Sequence, residues 1–253
     1  MRLEHLTWPQ AEAYFKTHDT VILPIGSIEC HGRHMPLGTD ALIPARLLEL
    51  LEPQCPDTLI APLLPYGACD SQTDFPGTIS LGHDVLYQVL TKITQHLYNA
   101  GARHFVVLNG HGGNIPILDR VALDLQKQGC LLAQINWWRM VWDLNPAWTG
   151  GHGGGEETAA ILAIDPNLVD RAAIADMELK PVSDELPASG FSTVKFEGVD
   201  IPVPRRVTDV TDNGWIGPDH PALATEQWGQ EMLQAAADFT ARFVKAFEKA
   251  PLK

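Results

Sequence analysis

The stretch Gly26-Ser27-Ile28-Glu29-Cys30-His31-Gly32-Arg33-His34-Met35-Pro36-Leu37-Gly38-Thr39-Asp40 gathers carboxylates and imidazoles in one glycine- and proline-punctuated loop. Glu29 and His31 are separated by one residue, so in an extended segment their side chains face the same way, and Cys30 faces the opposite way. Asp40 returns from the same loop beside a helix start. Two further clusters share this design: Asn109-Gly110-His111-Gly112-Gly113-Asn114, and Gly150-Gly151-His152-Gly153-Gly154-Gly155-Glu156-Glu157-Thr158. Carboxylates and neutral imidazoles are ligands for divalent cations, and one carboxylate can bridge two ions held roughly 3.5–4 Å apart. Glu29, Asp40 and either Glu157 or Glu156 would supply three negative charges, with neutral His31 and His111 adding none. A bridging hydroxide brings the count to four, which balances two divalent ions and leaves a ready nucleophile. His152 lies close enough in sequence to Glu157 to pass a proton to a leaving group.

The elements around these clusters predict how they meet. Val21–Ile25 and His104–Leu108 read as short buried strands directly before the first two clusters, and the third opens a helical run at Ala159–Leu162. Thr58–Leu64 and Cys130–Asn136 read as two more strands. Helices are expected at Ala41–Leu51 (with Pro44 in the first turn), Val85–Ala100, Ile117–Gln128 and Pro221–Lys249. This alternation predicts an α/β fold, a three-layer sandwich whose mainly parallel sheet is flanked by helices, with the clusters at the carboxyl ends of its strands. Residues 1–253 read as a single domain, with a β-rich or irregular excursion at about 176–212 where proline and weak periodicity replace the helical pattern.

Composition narrows the role. A chain of 253 residues, 45% of them hydrophobic, can bury a substantial core, and a net charge of −13 argues against nucleic acid or an anionic membrane as partner. Cys30, Cys55, Cys69 and Cys130 form no C-x-x-C pair and suit reduced thiols. With no signal-like N-terminus and no apolar run of spanning length, the expectation is a soluble, cytoplasmic protein acting on a small molecule. The third cluster lacks the lysine of a phosphate-binding loop, and no G-x-G-x-x-G follows the first strand, which disfavours a dinucleotide enzyme. His34, His83, His96, His104 and His220 read as structural histidines, and Asn109 and Asn114 as turn-formers.

On these motifs the chain resembles the creatininase family of metal-dependent amidohydrolases. Gly26–Asp40 follows the family's G-S-x-E-x-H-G-x-H-x-P-x-x-x-D signature, Asn109–Asn114 is similar to its second motif, and His152–Thr158 is similar to its H-x-x-x-x-E-T segment. The resemblance implies two divalent ions, zinc, manganese or iron, and a homo-oligomer, often a hexamer. It implies that Glu29, Asp40 and His111 hold one ion and that His31, Asp40 and a further carboxylate hold the other. In creatinine-hydrolysing members that carboxylate lies two residues after the second-motif histidine, where this chain has Gly113, so Glu157 is the candidate in its place. An aromatic residue of those members is likewise replaced by Gly112, which argues against creatinine itself. Trp148 matches a substrate-covering tryptophan, with ordinary core packing as the alternative, and Arg33 is a second candidate for substrate contact.

The expected reaction is opening of a cyclic amide or cleavage of a formamide C–N bond, by attack of the bridging hydroxide on a carbonyl. The alternatives are a carbon–carbon hydrolase of an inositol-derived cyclic ketone and a non-catalytic metal-binding scaffold. Trp137, Trp138, Trp142 and Trp148 read as loop tryptophans walling a pocket.

Overall fold

The computed structural model describes residues 1–252. Helix α1 (Trp8–Phe15) leads into strand β1 (Thr20–Ile25), followed by α2 (Thr39–Leu51), β2 (Leu59–Ile60), α3 (Gly82–Ala100), β3 (His104–Asn109), α4 (Ile115–Gln126) and β4 (Leu131–Asn136). All four strands are parallel, in the order β2-β1-β3-β4. The chain therefore moves outward from β1 to β2 and then returns to the other side of β1 as β3. This reversal opens a crevice between the carboxyl ends of β1 and β3, the place where open α/β sheets take their ligands. Ile25 pairs with Asn109 at that end, so the first and second clusters leave the sheet side by side.

Burial on both faces explains why these strands read as apolar runs rather than alternating ones. Ile22, Val106 and Leu108 point into a core shared with α2 and the helices that follow the sheet, whereas Val21, Leu23, Ile25, Phe105 and Val107 point into a second core with α3 and α4. Three layers result.

After the sheet come α5 (Trp137–Leu144), α6 (Gly155–Ile164), an antiparallel hairpin of β5 (Thr193–Phe196) and β6 (Val199–Pro202), and α7 (Glu226–Phe247). The hairpin falls inside the irregular 176–212 stretch. Helix α6 is buried from Gly155 through Leu162, and Gly229 of α7 lies so close to the Ala159 carbonyl that any side chain there would collide with it.

Several boundaries differ from the sequence reading. The second strand is ladder-paired only at Leu59–Ile60, because Pro62 follows, although Leu64 rejoins Ile25 through a parallel bridge. The last helix starts at Glu226, capped by the Thr225 side chain, which accepts from the Trp228 N–H. Helix α2 begins at Thr39 rather than Ala41, which moves Pro44 into its second turn. Proline there has no N–H for the Asp40 carbonyl. That carbonyl faces Gly26 and Gly110, and a Cβ at either glycine would strike it. The two glycines thus let the ends of β1 and β3 close onto the first turn of α2.

Candidate metal centre

Asp40 sits in that first turn, buried, at the mouth of the crevice. Its Oδ1 lies 3.0 Å from His31 Nε2 and its Oδ2 lies 3.0 Å from His111 Nδ1, so its two oxygens face two different imidazoles. Glu157 Oε2 approaches His31 Nε2 at 3.6 Å, and Glu29 Oε2 approaches His111 Nδ1 at 3.2 Å. Two overlapping ligand groups follow, Glu29–Asp40–His111 and His31–Asp40–Glu157, and Glu29, His31 and His152 form a third. Glu29, His31, Asp40, His111 and Glu157 are all buried, and Cys30 turns away toward Gly214.

The outer partners fix which ring nitrogen is free. His31 Nδ1 lies 3.1 Å from the Glu29 carbonyl oxygen, and His111 Nε2 lies 3.0 Å from the Ala68 carbonyl oxygen. A carbonyl can only accept, so each of those nitrogens carries a proton and donates it. In the neutral rings, His31 Nε2 and His111 Nδ1, the atoms facing the carboxylates, are then left with lone pairs, the arrangement expected of metal-binding histidines. Glu29 is held as firmly: Ser27 Oγ donates to its Oε2 at 3.0 Å and Gln72 Nε2 donates to its Oε1 at 2.6 Å. Asn109 grips the His111 backbone on both sides, and Asn114 bonds Asn109, the Gly26 carbonyl and the Ala68 N–H. The two asparagines do more than form turns, because they tie three loops into one block.

Without an ion the cluster is electrostatically unsettled. Burial would lower the His31 pKa, yet Asp40, Glu157 and Glu29 outweigh it and push it up to about 10. His111 is likewise raised well above its ordinary value despite burial, through Glu29 and Asp40. Burial works to raise Asp40, but the two rings hold it below the usual carboxylate range, whereas burial raises Glu157. His31 Nε2 and Asp40 Oδ2, although each lies 3.0 Å from a polar atom of the cluster, make no well-directed hydrogen bond, and His152 Nε2 is buried with no hydrogen-bond partner. Buried polar atoms rarely stay unpaired. A pair of divalent cations would take up the lone pairs and the charge that protons otherwise balance, and hard carboxylate plus imidazole donors suit zinc or manganese.

Glu156 points elsewhere. Its Oε1 accepts from Trp142 Nε1 at 2.9 Å, while Glu157 Oε2 accepts from the Gly153 N–H at 2.7 Å and faces the ligands. Helix α6 starts where Asp219 accepts from the Glu156 N–H, which sets this rotation. Gly113 leaves no room for a carboxylate, since its Cβ would collide with the Ala68 carbonyl. His152 packs its ring 4.3 Å from that of His31 and 5.1 Å from Phe191, and burial and His31 lower its pKa to about 4.

A cavity of about 730 Å³ opens over this floor, lined among others by Trp138, Trp142, Ile115, Met177, Leu179 and Phe191. Of the four tryptophans, Trp138 and Trp142 line it, Trp137 is fully buried, and Trp148 packs against the core. Three of them stand on α5 rather than in a loop: Trp137 and Trp138 open that helix, about 100° apart around it, so one enters the core and the other the cavity. Arg33 is exposed and outside the lining, because Gly32 (φ 84°) reverses the chain directly after His31. Gln72, Arg139 and Phe191 carried no signal in the sequence, being single residues in unremarkable surroundings.

Comparison with known proteins completes the picture. The creatininase family pattern, described as creatinine amidohydrolase, matches residues 4–244. The chain belongs to the creatininase family. Membership makes it a metal-dependent hydrolase. It is 32% identical to the creatinine amidohydrolase of Pseudomonas putida over 68% of this chain and 74% of that one. It is 30% identical to the mycofactocin precursor peptide peptidase of Mycobacterium ulcerans over 76% of this chain and 74% of that one. The 3-dehydro-scyllo-inosose hydrolase of Thermotoga maritima is 26% identical, over 69% of this chain and 60% of the other. A manganese creatininase structure superposes with a TM-score of 0.77 at 25% identity, covering 98% of this chain and 99% of that one. A creatininase variant of Zn-Zn type gives 0.76 at 25% identity, with 98% of each chain covered. Among the described residues no helix is long and apolar enough to cross a membrane.

Proposed function

We propose that the chain is a dinuclear-metal amidohydrolase that cleaves the C–N bond of a cyclic amide or a formamide. The observation that carries this reading is Asp40, whose two oxygens each face a different histidine at 3.0 Å. Glu29 and His111 would hold one ion with Asp40, and His31 and Glu157 the other. When bound, the ions supply an activated water and Lewis acidity at the substrate carbonyl.

The chain's own groups do the rest. Gln72 and Ser27 keep Glu29 from rotating, and the two backbone carbonyls hold His31 and His111 in the tautomers that ligation needs. His152 lines the cavity with Nε2 unpartnered, so this atom takes the proton released on attack and delivers it to the departing nitrogen. Burial and the neighbouring His31 keep the ring neutral at neutral pH. The apolar wall of α5 and the 176–212 excursion excludes water from the reacting carbonyl.

The whole chain would act as one hydrolase domain, cytoplasmic and assembled as a homohexamer, which light scattering tests directly. The activity is tested by an NMR-followed panel of cyclic amides, formamides and inositol-derived ketones with zinc- or manganese-loaded protein. Amide turnover abolished by chelator supports the proposal. Turnover of the ketones alone would replace it with carbon–carbon hydrolysis, and metal-loaded protein inert to every member would count against both.

A further inference from the structure

The cavity walls differ in character from its floor. Every acidic residue that lines it, Glu29, Asp40, Glu156 and Glu157, is buried and engaged at the floor or by Trp142, whereas the walls are mainly aromatic and aliphatic, with Ser71 and Ser189 as neutral polar members. One cationic side chain, Arg139, lines the cavity besides the histidines. It stands on α5 beside Trp138 and is exposed. None of the ion pairs among the described residues involves it. A guanidinium free of protein carboxylates, at the edge of an apolar cavity in a chain of net charge −13, is poised for an anionic ligand group.

Size points the same way. At about 730 Å³ the cavity falls within the roughly 300–1,000 Å³ typical of sites for drug-sized ligands, far more than one small ring needs. Gly112 adds to this space, for a Cβ there would meet only the edge of Trp138 at 3.8 Å. We infer that the substrate is an acidic amide: its C–N bond lies over the floor, an aromatic or branched apolar part packs between Trp138, Trp142 and Phe191, and its carboxylate pairs with Arg139. Arg139 is thus a specificity-determining residue. The inference rests on the amidohydrolase reading for the scissile bond, but the pairing with Arg139 is a separate claim about binding.

The test measures equilibrium binding of N-acetyl-phenylalanine and N-acetyl-phenylalaninamide to manganese-loaded protein at low ionic strength. The two differ only at the terminal group, a carboxylate in one and a neutral carboxamide in the other. Wild type should prefer the acid by about two- to fivefold, the scale of an exposed ion pair at low ionic strength. In Arg139→Gln, with metal content checked as a control for folding, the preference should collapse to near unity, and Arg139→Lys should keep part of it. An equal preference in wild type and Arg139→Gln, or failure of wild type to bind the acid, overturns the inference. The outcome is separable from the chemistry: acid binding through Arg139 without turnover of any amide would break the hydrolase reading alone. Amide turnover by a protein that ignores the terminal charge would break this one alone.

Discussion

The floor and the walls of the cavity are built by different kinds of structure. The floor comes from the ends of β1 and β3, the first turn of α2 and the start of α6, all buried and cross-tied by Asn109 and Asn114. The walls come from α5 and from an excursion that crosses the mouth with little regular structure, contributing Met177, Leu179 and Phe191. A floor of fixed ligands under walls of exchangeable side chains teaches that metal chemistry and substrate choice can vary independently on this frame. The relatives fit this division, since names as different as creatinine amidohydrolase and peptide peptidase occur at similar identity.

The largest expected effect breaks the floor itself. Asp40→Ala should lose both ions and reduce activity to background, read by metal analysis and by turnover; a protein that kept two ions would sink the bridging role. Glu157→Gln should weaken one ion selectively, whereas Glu156→Gln should keep both, because Glu156 faces Trp142. Equal metal loss in the two variants would mean that the rotation of α6 has been assigned incorrectly. Gln72→Ala, which frees one oxygen of Glu29, should lower metal affinity by roughly 10–100-fold, the usual cost of losing an outer partner of a ligand.

Acidity sharpens the same contrast. His31 with a pKa raised to about 10, and His111 raised with it, are protonated in the ion-free protein at neutral pH. A cation must displace those protons, so affinity should rise with pH, by about tenfold per unit for each proton displaced. Calorimetry in buffers of different ionisation heat counts the protons, and affinity flat between pH 6 and 8 would contradict the charge balance drawn here. The smallest effect belongs to the wall. Phe191→Ala should raise KM several-fold while both ions stay bound, since Phe191 touches His152 through its ring edge and no ligand oxygen.

How much was legible follows the same division. The candidate ligands stand in glycine-bounded clusters directly after apolar strands, so residue type, spacing and position all coincide at Glu29, His31, Asp40 and His111. Spacing alone leaves Glu156 and Glu157 equal, and only the family resemblance favours Glu157, because the rotation depends on Asp219, far along the chain, which fixes how α6 begins. The wall was illegible for a related reason. Phe191 and Met177 reach the cavity through a path with no period, and Trp148, suggested by the family resemblance, lies outside the lining, as does Arg33. Pro44 shows a local rule giving way to packing: a helix start two residues earlier, at Thr39, brings Asp40 into the first turn and puts proline in the second.

That displaced proline has a consequence for the protein as a material. The Asp40 carbonyl, which meets no N–H on Pro44, lies against Gly26 and Gly110, where the two central strands end, while the side chain of the same residue reaches the proposed ion positions. Ion release and parting of the β1–β3 seam are therefore linked equilibria. Each tenfold rise in free metal above its dissociation constant should add about 1.4 kcal/mol to the stability of the folded chain for each ion bound. The melting temperature then becomes a gauge of metal supply.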